Sequence, residues 1–321
     1  MINKIAIIAG ESNSINSEIV SKCWKKLKKK RNKIFLVGSY LLIKNQLKII
    51  KINVPLKRIK NINNNISSSF LHILDVPVNF KNPFKLNKKD NAKYVQKCID
   101  IGDNLAKYNK KIGFINCAIN KNNVPALQKL GVTEYLARKS LKKITEVMMI
   151  YNEKLAVVPL TTHISVKHVA KKISKKLIKD KIITLDKCYK KILKKKPNIA
   201  ILGLNPHNDE YRKYSEEEKI IIPSINNLKK IGIKVKGPFP ADTAFGHKNI
   251  KMFDVIVGMY HDQVLAPFKA LYKFNAINIT LGLNYIRVSP DHGVASDIIK
   301  RNKADPKSLI KCINFICKTK L

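Results

Sequence analysis

The sequence is short of arginine. Only six of its 63 basic residues are arginine: Arg31, Arg58, Arg138, Arg212, Arg287 and Arg301. Specific nucleic-acid surfaces use the planar guanidinium fork to grip phosphates and base edges. Its scarcity argues against a specific nucleic-acid role, although the formal net charge is +41. Lysine is instead spread along the whole chain, beside abundant isoleucine and asparagine, as a drift toward A/T-rich codons would leave it. Runs such as Lys25–Arg31 and Lys194–Lys196 read as solvated helix faces or ends. Only weak, salt-sensitive binding to nucleic acid is expected.

Long hydrophobic runs are missing too. A stretch such as Leu155–Leu160 is far too short to span a membrane. The apolar patch Ile5–Ala9 lacks the core length and the small-residue cleavage site of a signal peptide. Twelve glycines and 13 prolines are no enrichment, and no stretch is simple enough for a long disordered tail. The six cysteines, Cys23, Cys98, Cys117, Cys188, Cys312 and Cys317, form no Cys-x-x-Cys pair and are expected as reduced thiols. These absences predict a soluble cytoplasmic protein with no membrane partner. Its 321 residues, 45% hydrophobic, suffice for one large core or two medium ones.

Short β-branched runs alternate with lysine-rich amphipathic stretches. Strands are predicted at Ile5–Ala9, Lys33–Val37, Ile112–Ile115, Leu155–Pro159, Ile199–Leu204, Ile233–Lys236, Val255–Gly258 and Ile277–Thr280. Helices are predicted over Ser17–Lys30 and Asp90–Tyr108. Ser215 followed by Glu218 signals another helix start, Gly232 its end, and Pro223 a kink within it. The alternation predicts an α/β protein with mainly parallel strands, and the length favours two domains around a cleft.

Three of the seven histidines share one context. His163, His207 and His261 each stand just past an apolar strand, in Leu155–His163, Ile199–His207 and Asp254–His261. In open α/β sheets that edge binds ligands. Three neutral imidazoles are a sufficient set for a catalytic divalent metal. Spacing alone does not bring them together. Asp262 follows His261 and is placed to orient it. Asp242 lies in the polar loop Gly237–Thr243, and Lys269, Asn278 and Arg287 fall at or near strand ends. Arg287 stands where composition favours lysine, which points to a need for a planar fork on a carboxylate or phosphate.

Seven motifs occur in one order: Thr161-Thr-His163, Gly203-Leu-Asn-Pro-His207, Gly237-Pro-Phe-Pro-Ala-Asp-Thr243, Tyr260-His-Asp-Gln263, Asn278-Ile-Thr-Leu-Gly-Leu283, Ile286-Arg287 and Asp291-His-Gly293. Together they resemble the 4-hydroxythreonine-4-phosphate dehydrogenase family, from about residue 110 to the C-terminus and more weakly before residue 90. The resemblance implies that His163, His207 and His261 hold one divalent metal (zinc, magnesium or cobalt). It implies a homodimer whose active site takes residues from both subunits. Thr133, Lys269, Asn278 and Arg287 match substrate-binding positions, and Lys269, Asp262 and Asp242 are the candidate catalytic residues. The implied reaction is NAD-linked oxidation of a phosphorylated hydroxy-amino acid, 4-phosphooxy-L-threonine. Loss of carbon dioxide then gives 3-amino-2-oxopropyl phosphate, a step in pyridoxal phosphate biosynthesis.

No Gly-x-Gly-x-x-Gly follows a strand, so a Rossmann site is not supported. The family's fold resembles that of isocitrate and isopropylmalate dehydrogenases, whose adenosine-binding loop is similar to His292-Gly-Val-Ala-Ser-Asp297-Ile298. His292 and Asp297 are therefore the candidate cofactor residues. The implied division is a cofactor-side domain, residues 1–130 with 279–321, and a metal, substrate and dimerisation domain, residues 131–278. Two places depart from the family pattern. Val132 stands where the family has a histidine in Gly-His-Thr-Glu, and Gly10–Glu18 keeps only Gly10, Ile15 and Glu18 of the family's glycine-rich loop. Two rivals remain: a paralogous dehydrogenase of a phosphorylated sugar acid, and a non-enzymatic basic nucleic-acid-binding protein.

Overall fold

The computed structural model describes residues 2–62, 66–128, 131–140, 145–273 and 275–319. The chain divides into two compact units, Met1–Leu136 with Asn284–Leu321, and Ala137–Leu283. The boundary expected at residue 130 falls outside the described residues.

The first unit holds strands β1 (Lys4–Ile8), β2 (Ile34–Gly38), β3 (Leu56–Ile59), β4 (Leu71–Asp75) and β5 (Ile112–Asn116). The second holds β6 (Val147–Tyr151), β7 (Ala156–Pro159), β8 (Ile199–Leu202), β9 (Val235–Phe239), β10 (Val255–Gly258) and β11 (Ile277–Leu281). The chain then returns to the first unit with β12 (Arg287–Pro290). In the first unit the order is β3-β4-β2-β1-β5-β12, every neighbouring pair parallel. Strands β1, β2 and β5 are buried along almost their whole length, as parallel strands covered on both faces must be.

In the second unit the order is β11-β6-β7-β10-β8-β9. Here β7, β10, β8 and β9 are parallel, but β6 runs antiparallel to both β7 and β11. The expectation of mainly parallel strands holds in the first unit and is only partly met in the second. Strand β6 is short and is joined to β7 by a tight turn in which Asn152 N–H donates to Leu155 C=O. A connection that short can only reverse the chain.

The helices follow their caps. Asn87 accepts from Asp90 N–H to start Lys88–Tyr108, and Ser174 accepts from Leu177 N–H to start Lys175–Leu193. Ser215 accepts from Glu218 N–H at 3.2 Å, as its spacing predicts. The irregularity expected at Pro223 takes the form of a π-helical turn over Glu217–Ile221, directly before the α-helix Ile222–Lys230 that has Pro223 in its first turn. Gly232, at φ +80°, closes that helix. The first helix ends earlier than expected, at Lys26, and Lys28–Lys33 is a 3-10 turn. All six cysteines are free thiols.

Candidate active site

Arg287 opens β12 and is only 2% exposed. Its Nε donates to Asn116 Oδ1 at 2.8 Å, and a terminal nitrogen donates to Thr133 Oγ1 at 3.2 Å. Burial pushes its pKa down to about 10, while Tyr285 and Glu134 hold it up, so the guanidinium stays charged at neutral pH. Two of the substrate candidates, Thr133 and Arg287, are thus gathered in the first unit. Asn116 belongs with them and was not picked out from the sequence. Its signal was the one shared by the histidines, a polar residue at the carboxyl end of an apolar strand.

In the second unit, the rings of His163 and His261 lie 6.1 Å apart. His261 Nδ1 is 2.7 Å from Asp262 Oδ1, the arrangement that fixes an imidazole's tautomer. His207 Nε2 stands 3.8 Å from Asp242 Oδ2, and both side chains are exposed. Among the described residues no group of three histidine, cysteine, aspartate or glutamate side chains is gathered to hold an ion.

His207 rides on an unusual backbone. His207, Asn208, Asp209, Glu210 and Tyr211 all have φ between 48° and 59°. Left-handed conformation costs non-glycine residues roughly 1–2 kcal/mol each. The turn is held from within. Asn208 is fully buried and donates to Tyr211 Oη at 3.0 Å and to Pro238 C=O at 3.3 Å. Just upstream, buried Glu217 accepts from the backbone of Leu204 at 2.7 Å and of Asn205 at 2.9 Å. Strain of this kind persists where the surroundings over-determine it, and it concentrates at functional sites.

Lys269 is half-buried on the helix His261–Tyr272. Asn278 lies in β11, and its Oδ1 is buried with no hydrogen-bond partner among the described residues. Such an acceptor costs about 1–3 kcal/mol unless a ligand meets it. His292 bonds Gly293 C=O through Nδ1 at 2.9 Å, and Asp297 is exposed in the short turn Ser296–Ile298.

The sequence profile of the family described as pyridoxal phosphate biosynthetic protein PdxA matches residues 30–316. The chain belongs to the PdxA family. It is 37% identical over 318 residues to a 4-hydroxythreonine-4-phosphate dehydrogenase of Sulfurihydrogenibium sp., covering 97% of each chain. A D-threonate 4-phosphate dehydrogenase of Pectobacterium atrosepticum is 30% identical over 315 residues, covering 95% of each. Among solved structures, the Klebsiella pneumoniae 4-hydroxythreonine-4-phosphate dehydrogenase superposes with a TM-score of 0.82 at 29% identity, covering 98% of each chain. The isocitrate dehydrogenase of Methylococcus capsulatus, at 10% identity and a TM-score of 0.52, shares the fold, covering 98% of this chain and 85% of its own.

In the loop Gly10–Glu18, the residues Gly10, Ile15 and Glu18 each have a structural task. Gly10 has φ +71°, and a Cβ there would lie 2.5 Å from Ala118 C=O. Ile15 is buried, and its N–H donates to Val294 C=O at 3.3 Å, beside the His292–Ile298 loop. Glu18 is buried, pairs with Lys22 at 2.7 Å and accepts from Ala304 N–H at 2.8 Å. The residues between them carry a polar cluster. In it Glu11 accepts from Asn91, and burial raises its pKa.

Proposed function

We propose that this chain oxidises 4-phosphooxy-L-threonine with NAD and releases carbon dioxide to give 3-amino-2-oxopropyl phosphate, within cytoplasmic pyridoxal phosphate biosynthesis. The observation that carries this reading is the 37% identity, across 97% of both chains, with a 4-hydroxythreonine-4-phosphate dehydrogenase. Carbon C3 loses its hydrogen as a hydride to the nicotinamide ring, and the hydroxyl on it loses its proton to a base, leaving a ketone. The carboxyl group then stands β to a ketone and leaves as carbon dioxide.

Arg287, steered by Asn116 and Thr133, is the cation for one anionic end of the substrate. Lys269 serves the other anionic end, and the Asn278 amide offers its unpartnered oxygen to a substrate donor. His163, His207 and His261 are the proposed holders of one zinc, magnesium or cobalt ion. Two imidazoles on one ion place their ring centroids roughly 4.5–5.2 Å apart, given metal–nitrogen distances near 2.0–2.1 Å. The His163 and His261 rings stand 6.1 Å apart, about 1 Å wider, so the pair would close slightly on an ion. Among the described residues no three-residue group is gathered, and the reading takes one of the three histidines from a second copy of the chain in a homodimer. A divalent ion there stabilises negative charge on the reacting oxygen. Asp262 fixes the His261 ring, while Asp242 and Lys269 are the candidate proton carriers.

The assay that tests this reading is NADH formation with 4-phosphooxy-L-threonine, with and without exhaustive chelation. No NADH with this substrate would sink the reading. A second reading, a D-threonate 4-phosphate dehydrogenase, is favoured by Val132 and by the Pectobacterium relative. Threonate carries a hydroxyl where hydroxythreonine carries an amine, so one assay with both substrates separates the two.

Val132→His is expected to lower KM for 4-phosphooxy-L-threonine about tenfold, since a hydrogen bond to a charged group contributes roughly 1.5–3 kcal/mol. Loss of activity in the variant, with the natural chain preferring D-threonate 4-phosphate, would favour the second reading instead. Asp297 is proposed to accept from the ribose hydroxyls of NAD and to repel the 2′-phosphate of NADP. Asp297→Ser should therefore narrow the NAD preference, read as the ratio of kcat/KM for the two cofactors. An unchanged ratio would move the adenosine site elsewhere.

A further inference from the structure

Four strand ends of the second unit carry His163, His261, His207 and Asp242. Hydrogen bonds beyond the regular ladders fasten them one to the next. Thr161, two residues before His163, donates to Met259 C=O from both its N–H, at 3.1 Å, and its Oγ1, at 2.7 Å. Met259 stands two residues before His261, and its N–H donates to Gln263 Oε1 at 2.7 Å. The other end of the same amide, Gln263 Nε2, donates to Gly203 C=O at 2.7 Å. Gly203 follows β8 on the way to His207, and its N–H donates to Phe239 C=O at 3.0 Å, on the way to Asp242.

The ladder between β10 and β8 ends at Val257 and Ile201. Past that point Gln263 is a side-chain tie between the two strands. It is 9% exposed, so its bonds work in a weakly screened setting. Gly258 leaves it room: a Cβ there would stand 2.8 Å from Gln263 Oε1. As the third residue of the helix His261–Tyr272, Gln263 reaches back to an otherwise free N–H, as a capping residue does. Its outward half serves no helix and is aimed at the neighbouring strand.

We infer that Gln263 is a positioning residue whose amide couples the His163–His261 pair to the His207–Asp242 pair. Its purpose rests on the metal reading above; its geometry does not. A single side chain with both ends satisfied carries the tie between the two site halves past the point where the β10–β8 ladder stops.

Gln263→Met keeps the volume and removes both bonds. Gln263→Glu keeps the acceptor for Met259 N–H and removes only the donor to Gly203. Ile225→Val, in the same unit and away from the tie, serves as a stability-matched control. In metal-free protein, amide hydrogen exchange over residues 203–208 should speed up about tenfold in both Gln263 variants and stay unchanged in the control. Zinc affinity, read by competition with a chelating dye, should fall about tenfold in Gln263→Met and not in the control. Unchanged exchange over 203–208 in Gln263→Met overturns the inference, as does an equal loss of affinity in the control. Failure of the unmodified protein to bind zinc overturns the metal reading instead, and the exchange result still decides the role of Gln263.

Discussion

His163→Ala and His261→Ala are each expected to lower turnover about a thousandfold or more, because a Lewis acid at the reacting oxygen contributes several kcal/mol to transition-state stabilisation. The two rings form a pair 6.1 Å apart, so loss of either would leave the proposed ion with too few protein donors. Both residues border solvent, so the folded state should survive with little change in Tm. Activity and bound zinc are measured on the same samples. Full turnover in either variant, or in chelated protein, would remove the metal from the mechanism. Mixing His163→Ala with Lys269→Ala subunits tests the shared site. Some activity should return in mixed dimers if these two residues serve one site from opposite chains, and its absence in confirmed heterodimers would count against that arrangement.

Arg287→Lys should raise KM for the phosphorylated substrate about a hundredfold, because the guanidinium aimed by Asn116 and Thr133 would offer the substrate a charge-assisted hydrogen bond worth roughly 1.5–3 kcal/mol that a lysine there would not reproduce. Arg287 meets Asn116 through Nε and Thr133 through a terminal nitrogen, and a lysine ammonium has no planar fork to reach both. Burial also disfavours a lysine cation, since it already lowers the arginine pKa to about 10. The split between KM and kcat is the readout, with Tm measured alongside. A KM within threefold of the natural protein, at unchanged Tm, would take Arg287 out of substrate binding.

Strand-end residues were the most legible feature of the site. His163, His207 and His261 stood out because each ended an apolar run, and the structure places each just beyond β7, β8 or β10. Arg287 stood out by rarity, and its complete burial accounts for the use of a guanidinium in a lysine-rich chain. Glu217 and Gln263 carry no site signal of their own in the sequence, although Gln263 lies in Tyr260-His-Asp-Gln263, and Asn116 carries only its place at a strand end. Their roles depend on partners far along the chain: Arg287 lies 171 residues from Asn116, and Gly203 lies 60 residues from Gln263. Several elements escaped the sequence reading, β3, β4, β6 and β12 among them. Length does not set them apart, since the predicted strands are as short; β3 is largely exposed and β12 opens on Arg287, which weakens the apolar pattern of those two.

The sequence by itself determined the α/β alternation, the buried parallel strands of the first unit, the helix caps and the polar residues offered at strand ends. All of these are local: they follow from periodicity, β-branching and capping within a few residues of one another. Only the tertiary structure decided that β6 pairs with β11, that His207 stands on a left-handed turn and that Gln263 ties two site halves together. It also decided that Arg287 is buried against Asn116 and Thr133. These features come from hydrogen bonds and packing between distant segments. Such bonds form only once the sheet has brought the strand ends side by side, and no window of neighbouring residues carries them.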